Sequence, residues 1–252
     1  MTRKRVIRTF LWVGVAALSL APWAIAQNVT LTSAGNNVAD GIYVSPYYAT
    51  VNGATNTPIV CDDFKDDSFL NTSWSGSITS FSSLSSSNIP TAWGAALGVS
   101  GATFTLYEEA AWLTLTLLQQ HSGSAGQVDY SYAVWAVFDP SGVVSWLKAY
   151  GDTATCNAIF GNGNNCLSTN VTGGLLGGVP SSYSTGEFAN VLIITPTVSG
   201  KTCTAGGCPE QEFIELVPEG GAALAYLLLA SLCCFGAMFL RSRRQIGTIP
   251  AA

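Results

Sequence analysis

Along the chain the spacing of hydrophobic and polar positions changes twice. From Gly41 to Cys61 there are short β-branched and aromatic runs: Gly41-Ile42-Tyr43-Val44, Tyr47 to Val51, and Thr57-Pro58-Ile59-Val60-Cys61, with Asn52-Gly53 between the last two. An Asn-Gly pair supplies the two positive φ angles of a tight hairpin, so the N-terminal third is predicted to be a β-meander. Ser68 to Asn88 is serine-rich, yet Trp74, Gly76, Ile78 and Ser80 keep a period of two, which favours a solvent-facing strand over a structureless loop.

The period then lengthens. From Thr103 to Gln120 the apolar positions Leu106, Ala110, Leu113 and Leu117 recur at helical spacing, with Thr103 as the cap candidate. Val128, Tyr132, Trp135 and Phe138 predict a second helix over Gln127 to Asp139, stopped by Pro140-Ser141-Gly142, and Val143 to Tyr150 a shorter third. After a Gly/Asn-rich loop the chain returns to β at Val191-Leu192-Ile193-Ile194 and Glu212-Phe213-Ile214-Glu215-Leu216. Strands, then helices, then strands predict the α+β class: a single β-rich domain with a central helical segment, spanning 27–216.

The two ends have a different composition. Arg3, Lys4, Arg5 and Arg8 precede an apolar run from Phe10 to Leu20, and Ala24-Ile25-Ala26 before Gln27 fits the small-x-small pattern read by signal peptidase, so 1–26 is expected to be a cleaved secretory signal, with an uncleaved N-terminal anchor as the alternative. At the far end, Ala222 to Leu240 holds nineteen residues without a charge. As a helix it would cover roughly 28 Å, enough for a transmembrane helix. Arg241, Arg243 and Arg244 follow, with 245–252 expected on the cytoplasmic side.

Charge between the ends excludes several functions. From Gln27 to Pro218 fourteen acids face Lys65, Lys148 and Lys201 alone, a balance of −11 with no arginine. Nucleic-acid binding needs the opposite sign, and a single histidine, His121, excludes a multi-histidine metal site. Five cysteines fall in this part; Cys156 with Cys166 and Cys203 with Cys208 are the economical disulfide pairs in an oxidising compartment, and Cys61 is left over.

Val217-Pro218-Glu219-Gly220-Gly221, the apolar span and the arginines together resemble the PEP-CTERM tripartite sorting signal of bacterial exported proteins. Gly220 stands where a second proline is commoner. The resemblance implies Sec export, an inner-membrane intermediate, and processing by an exosortase-type membrane protease before delivery to the cell surface or beyond. A permanently membrane-anchored ectodomain is the alternative. Four phrases, Gly41 to Tyr47, Cys61-Asp62-Asp63-Phe64, Tyr107 to Leu113 and Tyr132 to Pro140, resemble a recurring group of such proteins. A more distant likeness is to thioester-domain adhesins, in which an early cysteine condenses with the glutamine of a helical Gln-x-Ala-Ile-Trp. Here Cys61 and Ala133-Val134-Trp135 match, but the glutamine position is Ser131, which has no acyl carbon; Gln127, one turn earlier, is the substitute candidate.

Other arrangements are less specific. Cys61, His121 and an aspartate form a drawable cysteine-hydrolase set without a local signature. Asp62, Asp63, Asp66 and Asp67 offer oxygens for Ca²⁺ but lack EF-hand spacing, so an ordinary solvated acidic turn is expected. Glu108 and Glu109 point to different parts of one helix, and Trp112, Trp135 and Trp146 fit a core better than a sugar platform. Asn28, Asn71 and Asn170 lie in sequons. The expected protein is a non-enzymatic exported surface or matrix protein needing no cofactor or metal, associated with exopolysaccharide or biofilm. A covalent thioester adhesin using Cys61 is the rival reading.

Overall fold

The computed structural model describes residues 27–217 apart from 36, 185 and 199. Ala24 and Ala26 of the expected cleavage site lie outside these, as do Pro218, Glu219, Gly220 and Gly221 of the sorting motif, the stretch 222–240, and Arg241, Arg243 and Arg244. The chain divides after Glu215 into two compact units, of which the second is described only at Leu216 and Val217.

In chain order the strands are β1 (Gln27–Ser33), β2 (Val38–Ala39), β3 (Ile42–Tyr43), β4 (Tyr47–Val51), β5 (Ala54–Cys61), β6 (Ser73–Ser80), β7 (Val191–Val198), β8 (Lys201–Thr202) and β9 (Phe213–Leu216). Helices α1 (Ala92–Leu97), α2 (Gly101–Leu118), α3 (Ala125–Phe138), α4 (Pro140–Tyr150), α5 (Thr153–Phe160) and α6 (Gly174–Gly177) fill the connection between β6 and β7. The main sheet runs β6-β1-β4-β5-β9-β7-β8, and β6 also pairs with β7, antiparallel from Gly76 opposite Pro196 to Ser80 opposite Leu192. That extra pairing closes six strands into a ring, and β8 hangs from β7 as a short edge.

One expectation about fold class is corrected by this arrangement. The sheet is not an open meander with later strands added in an α+β layout; β7 joins β6 and closes a β-barrel-rich domain, and closure removes the exposed edges an open sheet would carry. Periodicity assigns a strand its faces but not its distant partner. In addition, among the described residues no helix is long and apolar enough to cross a membrane. The stretch 222–240, where a transmembrane helix is expected, lies outside those residues.

Local chemistry explains the elements. Asn52 and Gly53 take φ of 52° and 84°, the tight turn that joins β4 to β5. β4 alternates buried and half-buried side chains, whereas β5 is exposed at its start and fully buried at Ile59, Val60 and Cys61, where it passes beneath α3. α3 is buried almost all round over Ser131–Phe138, the pattern of a helix enclosed by its neighbours. Ser100, not Thr103, caps α2, its hydroxyl accepting from the Thr103 amide at 3.2 Å. Asp139 ends α3 and caps α4, and Pro140 begins α4 instead of lying in a break, because a proline at the first helical position loses no hydrogen bond.

One buried side chain ties sheet and helices together. The Glu212 carboxylate, just before β9, accepts from the Ala92 amide at 2.7 Å, the Tyr107 hydroxyl at 2.5 Å and the Thr195 hydroxyl at 2.5 Å. These donors belong to α1, α2 and β7. Glu212→Ala strands three buried donors and is expected to lower unfolding stability by about 3 kcal/mol or more, with Glu212→Gln losing less; urea denaturation of the two variants beside the parent measures this.

Candidate functional site

The residues that matched the thioester pattern meet at one place. Cys61, at the buried end of β5, donates its backbone N–H to Ser45 Oγ at 3.0 Å, and the Ser45 N–H donates to Ser131 Oγ on α3 at 2.9 Å. Cysteine and helix are thus joined through two serines. The Cys61 thiol donates to the Asp63 carbonyl at 3.1 Å. Burial, then the carboxyls of Asp63 and Asp62, push this thiol well up, while the nearby Trp135 indole and the Asp63 backbone pull it partly back. A protonated, enclosed thiol is a poor nucleophile.

Gln127 is committed elsewhere: its Oε1 accepts the Gly123 amide at 2.8 Å and closes the turn ahead of α3. His121 is exposed in that same region, after α2, whereas Cys61 has no exposed surface, so the hydrolase set lacks an accessible nucleophile. Disulfides join Cys156 to Cys166 and Cys203 to Cys208, each with 5.4 Å between Cα atoms.

The acidic segment is not the solvated turn expected from sequence. Asp62 and Asp63 are buried, Asp66 is nearly so, and only Asp67 is exposed. Asp66 Oδ2 accepts the amides of Gly206 and Cys208 at 2.8 and 3.3 Å, gripping the loop closed by the second disulfide. Asp63 Oδ1 accepts the Lys65 amide at 2.9 Å. Burial pushes the Asp63 carboxyl up to about 7, with nearby Asp66 and Glu212 adding to the rise. Both oxygens of Asp62 are buried without a hydrogen-bond partner, and its carboxyl is pushed well up by burial, then by Glu212 and Asp63. Among the described residues no group of His, Cys, Asp or Glu is arranged to hold a metal ion.

Beside this buried cluster lies an open cleft of ≈ 740 Å³. Phe64, Trp135 and Trp146 form an aromatic wall: Phe64 lies 5.0 Å from Trp135 and 6.0 Å from Trp146 between ring centroids, the latter pair edge to face. Tyr43 and Tyr47 line the strand side. The Tyr132 hydroxyl donates to Asp40 at 3.0 Å, anchoring the β2–β3 turn to α3 and so fixing where Tyr43 stands. Polar lining comes from Asp66, Asp67 and Gln211; Gln211 is held by its amide on Ser68 Oγ and its Nε2 on the Asp63 carbonyl. Val38, Tyr43 and Phe69 at the rim are 58 %, 49 % and 64 % exposed.

Sequence reasoning assigned Trp135 and Trp146 to a core, which holds for Trp135 at 1 % exposed, and missed Tyr43, Phe69, Ser45, Gln211 and Glu212 as site residues. The available signal lay in the four recurring phrases. Gly41–Tyr47 supplies Tyr43 and Tyr47, Cys61–Phe64 supplies Phe64, Tyr132–Pro140 supplies Trp135, and Tyr107 holds Glu212 beneath.

No protein-family model matches the chain, and no curated protein matches it. Among solved structures it is similar to the N-terminal domain of the Streptococcus pyogenes pilus tip adhesin Cpa, at 12 % identity and a TM-score of 0.36, over 79 % of this chain and 97 % of that one. A likeness at that level carries no functional argument.

The buried carboxyls set a pH dependence. An acid with a raised folded pKa contributes stability below its unfolded value, here 3.8 for Asp63, that is lost as pH rises through the folded value of about 7. Stability is therefore expected to fall between about pH 4 and pH 7, and Asp62→Asn to flatten that fall by removing one of the neighbouring buried acids. Urea midpoints at about pH 5 and about pH 7.5 test both, and a midpoint that rises with pH in the parent contradicts the assignment.

Proposed function

We propose that the chain is an exported, non-enzymatic surface or matrix domain that engages extracellular polysaccharide non-covalently through the aromatic cleft. The observation that carries this reading is the cleft itself. Rings of Phe64, Trp135 and Trp146 stand behind a rim of exposed Tyr43 and Phe69, beside Asp67 and Gln211. Flat apolar faces beside a few fixed polar groups are what a sugar ring, apolar on its faces and hydroxylated on its edge, requires. Exposed apolar side chains gathered at one cleft mark a binding surface.

The buried, protonated Cys61 and the commitment of Gln127 to Gly123 support holding over seizing: ligand retention here needs no covalent bond. The delivery route in this reading is Sec export with cleavage before Gln27, followed by an exosortase-type enzyme acting at Val217–Gly221 and removing the apolar stretch and its arginines. Intact-mass measurement of native exported protein tests the route. The expected chain begins at Gln27 and ends at or before Gly221, and material retaining Arg241 to Arg244 rejects the processing step.

Tyr43→Ala and Phe69→Ala remove exposed rings and are expected to weaken binding to the purified exopolysaccharide of the producing cells by about three- to tenfold, with unfolding stability unchanged. Equilibrium binding of both variants beside the parent, with thermal melts, checks this; unchanged affinity in both places the ligand elsewhere.

A further inference from the structure

Resting on the polysaccharide reading, we infer that the cleft selects a cationic glycan, one whose sugar rings carry free protonated amines, over neutral or anionic chains. The argument is charge complementarity at a defined place. Asp66 and Asp67 line the cleft, and no lysine does. Of the three lysines in 27–217, Lys65 lies beside the acidic segment but turns its Nζ onto the Trp93 ring, 5.2 Å from the centroid; Lys148 sits on α4, and Lys201 on β8. The domain carries no arginine. An anionic polysaccharide meets like charge here without a compensating cation.

The carboxyls divide by environment. Asp62 and Glu212 are enclosed and pushed towards their neutral forms, Asp62 with no hydrogen-bond partner and Glu212 with its own three donors, so neither faces a ligand. Asp66 is fixed in position by the Gly206 and Cys208 amides, and Asp67 is exposed. The cleft is therefore lined by two aspartates together with the rings of Tyr43, Phe64 and Trp146. Aromatic faces attract cations as well as stacking on sugars, so a sugar ring bearing an ammonium group suits both kinds of lining residue at once. A cleft of ≈ 740 Å³ falls within the size of sites that enclose small ligands.

The test uses the mature exported protein and four probes: a glucosamine hexamer, the N-acetylglucosamine hexamer, an alginate hexamer and pentalysine. Binding is read by tryptophan fluorescence and calorimetry at about pH 6, where the sugar amine is protonated. The glucosamine hexamer is expected to bind at least about tenfold more tightly than the other three, and added salt to weaken it. Asp67→Asn is expected to weaken that hexamer by about two- to fivefold and reduce its salt dependence, leaving the thermal midpoint unchanged. Equal or tighter binding of the N-acetylated hexamer overturns the cationic selection while leaving the polysaccharide reading standing. Equal binding of pentalysine overturns the requirement for a sugar. An Asp67→Asn protein with parental affinity and salt dependence overturns the assignment to this cleft. Failure of every saccharide to bind overturns this inference and the polysaccharide reading together.

Discussion

A single buried carboxylate, that of Glu212, holds together the parts that had to meet. Its oxygens collect an amide from the start of α1, a phenol from the middle of α2 and a hydroxyl from β7, while its own backbone carbonyl accepts from Asp62 at 3.3 Å. A carboxyl group taken out of water costs several kcal/mol unless it is met by donors, and here three are supplied. The same low-dielectric interior that strengthens those bonds raises the neighbouring Asp62 and Asp63. The ring of strands gives the domain its closure, and Glu212 sets the helical layer onto it at one point.

Placement of the cleft follows from that arrangement. β5 delivers Cys61 and, just beyond it, Phe64; α3 delivers Trp135 opposite; α4 follows α3 through the shared Asp139 and adds Trp146. The Ser45–Cys61 and Ser45–Ser131 bonds are the rivets between strand β5 and helix α3, both made by short hydroxyl side chains. The interior therefore retains a cysteine next to a helix, and the surface above it is an open aromatic groove.

How far the sequence disclosed this can be seen residue by residue. The Asn52-Gly53 turn was legible because its dihedral demand is local, and α2 and α3 because apolar residues repeat at helical spacing. The pairing of Ile78 with Ile194 was not, since alternation reports a strand's faces and is silent about a partner beyond six intervening helices and a long loop. Asp62 and Asp63 read as a solvated turn because charged residues usually are, and only the position of Glu212 and the overlying α1 explains their enclosure. Trp135 and Trp146 at helical spacing pointed to a core; Trp135 is indeed only 1 % exposed, yet both border an opening that no periodicity describes.

The five-residue crosslink between Cys203 and Cys208 has a consequence for when this surface comes into being. The amides of Gly206 and Cys208 that clasp Asp66 belong to the small loop it closes, with Gly206 at a φ of 80° packed near the Lys65 side chain. While the sulfurs remain reduced, that loop keeps the conformational freedom of an open chain and Asp66 loses its preorganised clasp. The shape of one wall of the groove is thereby coupled to the redox state of two sulfurs outside it, so an oxidising milieu completes what the fold alone leaves loose.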